Sequence, residues 1–211
     1  MSGLLPHKEA AVERVQNFIN GSSARVLIGI AGKPGAGKST LSQFISDSIK
    51  SEELSVVPMD GFHYSNAVLN TLGRSSRKGA PDTFDVNGFV ALLKRIRREN
   101  SQNIYYPKFD RSIEESIAAQ GEVSAKTKVV IIEGNYLLHQ AGGWNEVTPL
   151  LDEIWFIDGD EDLRMKRLIQ RHMAFGKSAV DAQDWAMGSD EKNAELIGAG
   201  YERADFIIHL N

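Results

Sequence analysis

Arg25-Val-Leu-Ile-Gly-Ile-Ala31, followed at once by Gly32-Lys33-Pro34-Gly35-Ala36-Gly37-Lys38-Ser39-Thr40, is the stretch that decides the fold. Its first part is a short apolar run that ends in a turn, which predicts a buried strand. Its second part has the spacing G-x-x-x-x-G-K-[ST], and a helix-period stretch opens there and runs from about Lys38 to Lys50. The chemistry explains the spacing. Gly32, Gly35 and Gly37 let the backbone curl so that successive N–H groups converge on phosphate oxygens. The helix that comes next points its positive end at the same anion. Lys38, expected to face solvent without ligand, reaches the β and γ phosphates, and Ser39 offers its hydroxyl to Mg²⁺. Residues 32–40 therefore read as a nucleoside-triphosphate site. The third glycine of a dinucleotide loop is missing.

Outward from this loop, apolar runs alternate with helix-period stretches, the pattern of a parallel α/β sheet. Strands are predicted at 54–59, 128–133, 153–158 and 204–210 besides 25–31. Helices are predicted over 7–19, 38–50, 86–99 and 160–173, with mixed helix and turn over 176–196. The expected fold is α/β: a three-layer α/β/α P-loop NTPase fold around a mostly parallel five-stranded core sheet. Residues 1–211 read as one domain, with an acceptor-binding insertion at about 61–123 and a helical lid at about 160–178.

Composition narrows the function. The chain has 211 residues and no cysteine, which removes disulfide scaffolds, zinc knuckles, iron–sulfur sites and thiol catalysis together. No apolar run approaches the ~18 residues of a membrane helix, and Met1 to Lys8 lacks a signal-peptide layout, so a cytoplasmic protein with no membrane partner is expected. A net charge of −4 argues against a nucleic-acid partner. Its distribution is uneven. Residues 1–105 carry 13 Lys+Arg against 9 Asp+Glu, a net of +4, and residues 106–211 carry 11 against 19, a net of −8. A basic half suits an anionic ligand, though solvated surface charge explains it equally well.

The loop serves many activities, and other segments must choose among them. A GTPase should carry Asn/Thr-Lys-x-Asp after a later strand. Pro107-Lys108-Phe109-Asp110 puts proline in the wrong place, and Asp85-Val-Asn-Gly88 comes after a loop. A motor ATPase would end its acidic strand in paired acids, whereas this one ends in Glu133-Gly134. A small-molecule kinase fits better. Asp60 and Glu133 both end predicted strands, whose carboxyl ends face the ligand crevice of a parallel sheet. Asp60 is the candidate general base and Glu133, with Ser39, the candidate metal ligand. Arg164, Arg167 and Arg171 share one stripe of a helix, with Met165, Leu168 and Ile169 packing to one side. Such a stripe is either a lid face or plain surface charge.

These segments together resemble a known family: the P-loop kinases that group uridine kinase, phosphoribulokinase and bacterial type I pantothenate kinase. The resemblance runs from about Arg25 to Leu210. Asp60-Gly-Phe-His63 and Arg77-Lys-Gly-Ala-Pro-Asp-Thr-Phe-Asp85 look most like pantothenate kinase. Ile131-Ile-Glu-Gly-Asn-Tyr-Leu-Leu138, Arg171-His-Met-Ala-Phe-Gly-Lys177 and Asn193-Ala-Glu-Leu196 look more like the small bacterial members often labelled fructokinase-like or nucleoside-kinase-like. The resemblance implies Asp60, Lys38 and Arg171 as catalytic residues, with Arg167 and Arg171 closing on ATP. It also implies an acceptor pocket lined by Asp60, His63, Tyr106, Asp110 and Arg111. Tyr106-Pro-Lys-Phe-Asp-Arg111 matches a Pro-x-Tyr segment with Phe109 replacing the tyrosine. A homodimer is compatible with it.

The function expected is transfer of the ATP γ-phosphate, with Mg²⁺, to a hydroxyl of a small metabolite: a sugar such as fructose, a nucleoside, or a pantothenate-like compound. A uridine/cytidine kinase is the alternative within the class. A regulatory protein that binds ATP without turnover is the alternative outside it, and a base at Asp60 separates the two.

Overall fold

Why the chain forms a three-layer sandwich is visible in one strand. The computed structural model describes residues 2–210. In it, β2 (Val26–Gly32) is buried from end to end. Successive side chains of a strand point to opposite faces. Leu27 and Ala31 accordingly join one apolar cluster, and Ile28 and Ile30 join another on the far side. A strand that must be covered on both faces needs helices above and below.

Helices α1 (Lys8–Gly21) and α2 (Lys38–Ile49) cover the second face with Ala11, Val15, Ile19, Leu41 and Ile45. Helix α4 (Val86–Arg98) covers the first with Phe89, Val90, Leu92, Leu93 and Ile96. The short helix α3 (Asn66–Thr71) precedes it, in a region that the sequence pattern presents as irregular. Asp85 caps α4 by accepting from the Gly88 N–H at 2.9 Å, as an N-cap carboxylate should.

The main sheet also contains β3 (Leu54–Pro58), β6 (Val129–Glu133), β7 (Glu153–Asp158) and β8 (Phe206–His209). These four and β2 are the five expected strands. A sixth, β1 (Gly3–Leu5), adds parallel to β8 at the edge, giving the order β1-β8-β7-β2-β6-β3, all parallel. Strand β2 is flanked by β6 on one side and β7 on the other, so the order reverses at its carboxyl end. An α/β sheet opens its ligand crevice at such a point.

Two further pieces frame that crevice. Strands β4 (Ile104–Asp110) and β5 (Glu115–Val123) form a separate antiparallel hairpin within the expected insertion. On the other side lie α5 (Glu161–Ala174), α6 (Ala179–Trp185), a π-helical turn at Ala186–Asp190 and α7 (Glu191–Gly198). No helix among the described residues is long and apolar enough to cross a membrane.

Candidate active site

The loop after β2 is shaped by close contacts. Gly37 caps α2 at φ +103°. Gly35 sits at φ +81°, and a Cβ there would lie 2.7 Å from the Arg164 carbonyl oxygen. Both the left-handed backbone and the approach of α5 demand glycine. Lys38 does not extend into solvent. Its Nζ folds back to donate to the carbonyls of Gly32 (2.8 Å) and Lys33 (3.0 Å). Burial pushes its pKa down to about 8, and the carboxylates of Asp60 and Glu133 only partly oppose that.

Opposite this lysine, Glu133 at the end of β6 accepts from Ser39 Oγ (3.1 Å) and Ser42 Oγ (2.9 Å) on α2. Burial raises its pKa, and the nearby charge of Asp60 adds to the rise. Register places Pro58 of β3 beside Glu133, so Asp60 comes two residues beyond, on a 3₁₀ turn at Met59–Phe62 rather than on the strand itself. Burial alone would raise the Asp60 pKa. The electrostatic influence of His63, Arg111, Lys38 and Arg171 outweighs it, and the carboxyl lies below its ordinary value. Gly61 is required for a reason that the sequence does not show: a Cβ would lie 1.9 Å from the Pro107 carbonyl oxygen of the hairpin.

These groups open on one cleft of about 790 Å³. Its walls bring together Pro34, Gly35, Gly37, Lys38, Ser39, Thr40, Asp60, His63, Arg111, Glu133, Arg167 and Arg171 of the expected residues. Others stand elsewhere. Gly32, Lys33 and Ala36 are not on its wall, and Lys33 pairs with Glu161 instead. Tyr106 is not in the acceptor pocket. It is buried in the core with its hydroxyl donating to the Val56 carbonyl at 2.7 Å, and burial lifts its pKa to about 12. Asp110 is off the wall too, accepting from the Ser112 N–H and hydroxyl in a local turn.

The arginine stripe divides. Arg164 is only 4% exposed, pairs with Glu161 and Glu191, and donates to the Pro34 carbonyl at 3.3 Å. It ties α5 to the phosphate loop. Arg167 and Arg171 line the cleft and make no ion pair or side-chain hydrogen bond among the described residues. Burial, and then the like charge of Arg111, lower the Arg171 pKa.

Among the other wall residues, Lys78 and Asp190 are not assigned to the site by the sequence, whereas His172 stands out there beside Arg171 and Trp185 reads as core or lid packing. Lys78 donates to Asn66 Oδ1 at 2.8 Å and to the Glu114 carbonyl. His172 meets Asp190 at 2.6 Å, and Asn193 is buried beside the cleft. Trp185 lines the mouth with the Lys177 ammonium 4.3 Å above its ring. The one signal for Lys78 in the sequence is that it forms a basic cluster with Arg74 and Arg77. Asp190 has none, because its partner is 18 residues away and the contact depends on the π-helical turn.

A loop with this geometry facing two strand-end acids is matched by sequence comparison. The sequence pattern of the phosphoribulokinase / uridine kinase family fits residues 27–210. The chain belongs to that family. It is an ATP-dependent P-loop kinase. A Schizosaccharomyces pombe protein named "Putative uridine kinase C227.14" is 32% identical over 167 residues, spanning 75% of this chain and 71% of that one. The Escherichia coli protein "Uncharacterized protein YggC" is 29% identical over 98% of this chain and 84% of its own. The solved structure of a "putative fructose transport system kinase" from Silicibacter sp. TM1040 is 36% identical with a TM-score of 0.84, covering 95% of this kinase and 98% of that chain.

Proposed function

We propose that this kinase transfers the γ-phosphate of ATP to a hydroxyl of a small metabolite, a sugar such as fructose or a pantothenate-like compound. One observation carries the reading. Asp60, an ionised carboxylate, opens on the same cleft as the phosphate loop and its lysine.

In this chemistry the protein mainly positions groups and stabilises charge. The loop N–H groups and the start of α2 hold the phosphates. Lys38 leaves the Gly32 and Lys33 carbonyls for the β and γ oxygens, and Arg167 and Arg171 neutralise charge from the lid side. Asp60 accepts the proton from the acceptor hydroxyl as that oxygen attacks. The donor set at Glu133 and Ser39, a carboxylate and a hydroxyl 3.1 Å apart beside the loop, suits magnesium, a hard cation that shares few protein oxygens with phosphate. Once bound it would supply neutralisation of the phosphate charge. The segment at about 160–178 closes as a lid, excluding water and limiting hydrolysis.

A sugar acceptor is supported by the fructose named for the Silicibacter kinase. A uridine or cytidine acceptor is supported by the name of the S. pombe relative and by the rings of His63, Phe84 and Phe109 on the cleft wall, which suit a base as well as a sugar face. The test is ADP release, with and without D-fructose, ribulose 5-phosphate, uridine, cytidine or pantothenate. One acceptor should accelerate it well above the rest. Normal ATP binding with no acceleration by any compound would favour the non-catalytic switch.

A further inference from the structure

Asp60, through its backbone carbonyl on one side and its carboxylate on the other, sits in a closed circuit of four residues from two separate pieces of the fold. His63 Nδ1 lies 2.8 Å from the Asp60 carbonyl oxygen. The His63 ring meets the Phe109 ring at a centroid distance of 4.8 Å. The Arg111 guanidinium lies 5.7 Å from the Phe109 centroid. Arg111 Nη2 then donates to Asp60 Oδ2 at 2.6 Å and closes the circuit. Asp60 and His63 come after β3, whereas Phe109 and Arg111 belong to the hairpin arm. The approach of Pro107 to Gly61 seats that arm directly over the carboxylate.

The two oxygens of Asp60 are therefore unequal. Oδ2 is taken by Arg111, and Oδ1 accepts no hydrogen bond among the described residues. We propose that Arg111 is a positioning residue for phosphoryl transfer: its guanidinium holds Oδ2 so that Oδ1 meets the acceptor hydroxyl. A carboxylate held by one oxygen keeps a single orientation, and a misplacement of ~1 Å costs on the order of 10²-fold in rate. The circuit also links the hairpin, which shapes the acceptor pocket, to the base on the main sheet. The proposal rests on the base role given to Asp60.

The rival role for Arg111 is direct contact with the acceptor, and a double-mutant cycle separates the two. Arg111→Gln, Arg111→Lys, Asp60→Asn and Asp60→Asn/Arg111→Gln would be compared in single-turnover transfer. The acceptor would be whichever of D-fructose, ribulose 5-phosphate, uridine, cytidine or pantothenate gives the fastest ADP release. If none accelerates it, acceptor-independent ATP hydrolysis replaces transfer. ATP affinity and thermal midpoint are measured in parallel.

Arg111→Gln should lower the transfer rate by about 10- to 100-fold with acceptor KM and ATP affinity little changed. Arg111→Lys, which keeps the charge without the fork, should recover part of the loss. In the Asp60→Asn background, Arg111→Gln should cost no more than about twofold, because groups that act as a unit are not additive. A loss of equal size in both backgrounds, or one confined to acceptor KM, would overturn the proposal and make Arg111 an acceptor ligand. A slow Asp60→Asn beside a normal Arg111→Gln would overturn it while leaving the base in place. Near-parental turnover of Asp60→Asn would remove the base reading first.

A second readout needs no acceptor. The ¹³C carboxyl signal of Asp60, measured against pH, should titrate about one unit or more higher in Arg111→Gln, since an adjacent cation typically lowers a carboxyl by ~1–3 units. The other groups facing Asp60, namely His63, Lys38, Arg171 and Glu133, are common to both proteins. An unmoved midpoint would show that the pair does not persist in solution and would also overturn the proposal.

Discussion

At the scale of single residues, the strand-end acids and the loop lysine have separable roles. Asp60→Asn keeps the shape of the side chain and removes the proton acceptor. Its transfer rate should fall ~10²–10⁴-fold while ATP binding, measured by calorimetry, persists. Rescue by extra Mg²⁺ would move Asp60 to the metal site. Because its pKa is depressed in the folded enzyme, the part of the acid limb of kcat/KM that belongs to Asp60, the part Asp60→Asn removes, should lie below the ordinary carboxylate value. Lys38→Ala should cost on the order of 10²–10³ in rate, the usual loss for one preorganised donor. The fold should survive, since Lys38 gives up two hydrogen bonds to loop carbonyls and no core packing. These residues were legible because each sits at a fixed offset from an apolar strand or within the loop motif. Tyr106 and Asp110 were not. Alternation along β4 turns Tyr106 into the core and leaves Tyr105 outside, and a register shift between Tyr106 and Lys108 re-aims the residues from Lys108 to Asp110.

At the scale of elements, the central strands could be read directly, since each is an apolar run buried on both faces. The edge strand β1 could not. It has three residues, and its pairing with β8 lies some 200 residues away along the chain. The hairpin β4–β5 was hidden because its exposed stretches are polar and interrupted by Pro107 and Gly121. Two close approaches between elements give sharp tests. Gly61→Ala would drive a Cβ into the Pro107 carbonyl oxygen at 1.9 Å, so the hairpin must shift. Transfer should fall at least tenfold, on the scale that ~1 Å misplacements cost, with ATP affinity kept. Loss of both together would mean that the two sites are not separately mounted. Arg164→Ala removes the tie between α5 and the loop. Its carboxylate partners are 51% and 36% exposed, so the ion pairs themselves contribute little. The Pro34 carbonyl loses a donor in a buried setting, and the expected loss of stability is ~1–3 kcal/mol by urea titration, with weaker ATP binding. An unchanged midpoint would make Arg164 dispensable to the loop.

At the scale of the whole molecule, the cleft lies between the hairpin and the helices α5 to α7, of which α5 meets the phosphate loop through Arg164 and α7 puts Ile197 into the core. The proposed motion belongs to the helical side. Gly176 at φ +95°, with open space around it, is a point where the chain can pivot after α5. The three tryptophans report on this selectively. Trp144 and Trp155 are fully buried, and their ring N–H groups donate to the Pro81 carbonyl and to Glu153. Trp185 is half-buried on the cleft wall beneath the Lys177 ammonium. Closure should strip water from its indole and move Lys177, so emission should shift to shorter wavelength as the site fills. ATP alone should give a smaller shift than ATP with acceptor, because only the ternary complex needs to exclude water. Trp185→Phe should bind ATP normally and lose the response, leaving the buried pair silent. If the parent protein shows no spectral change at saturating ATP and acceptor, or if Trp185→Phe keeps the full change, the segment at about 160–178 does not move as a lid. Arg167 and Arg171 would then act from the positions they already occupy.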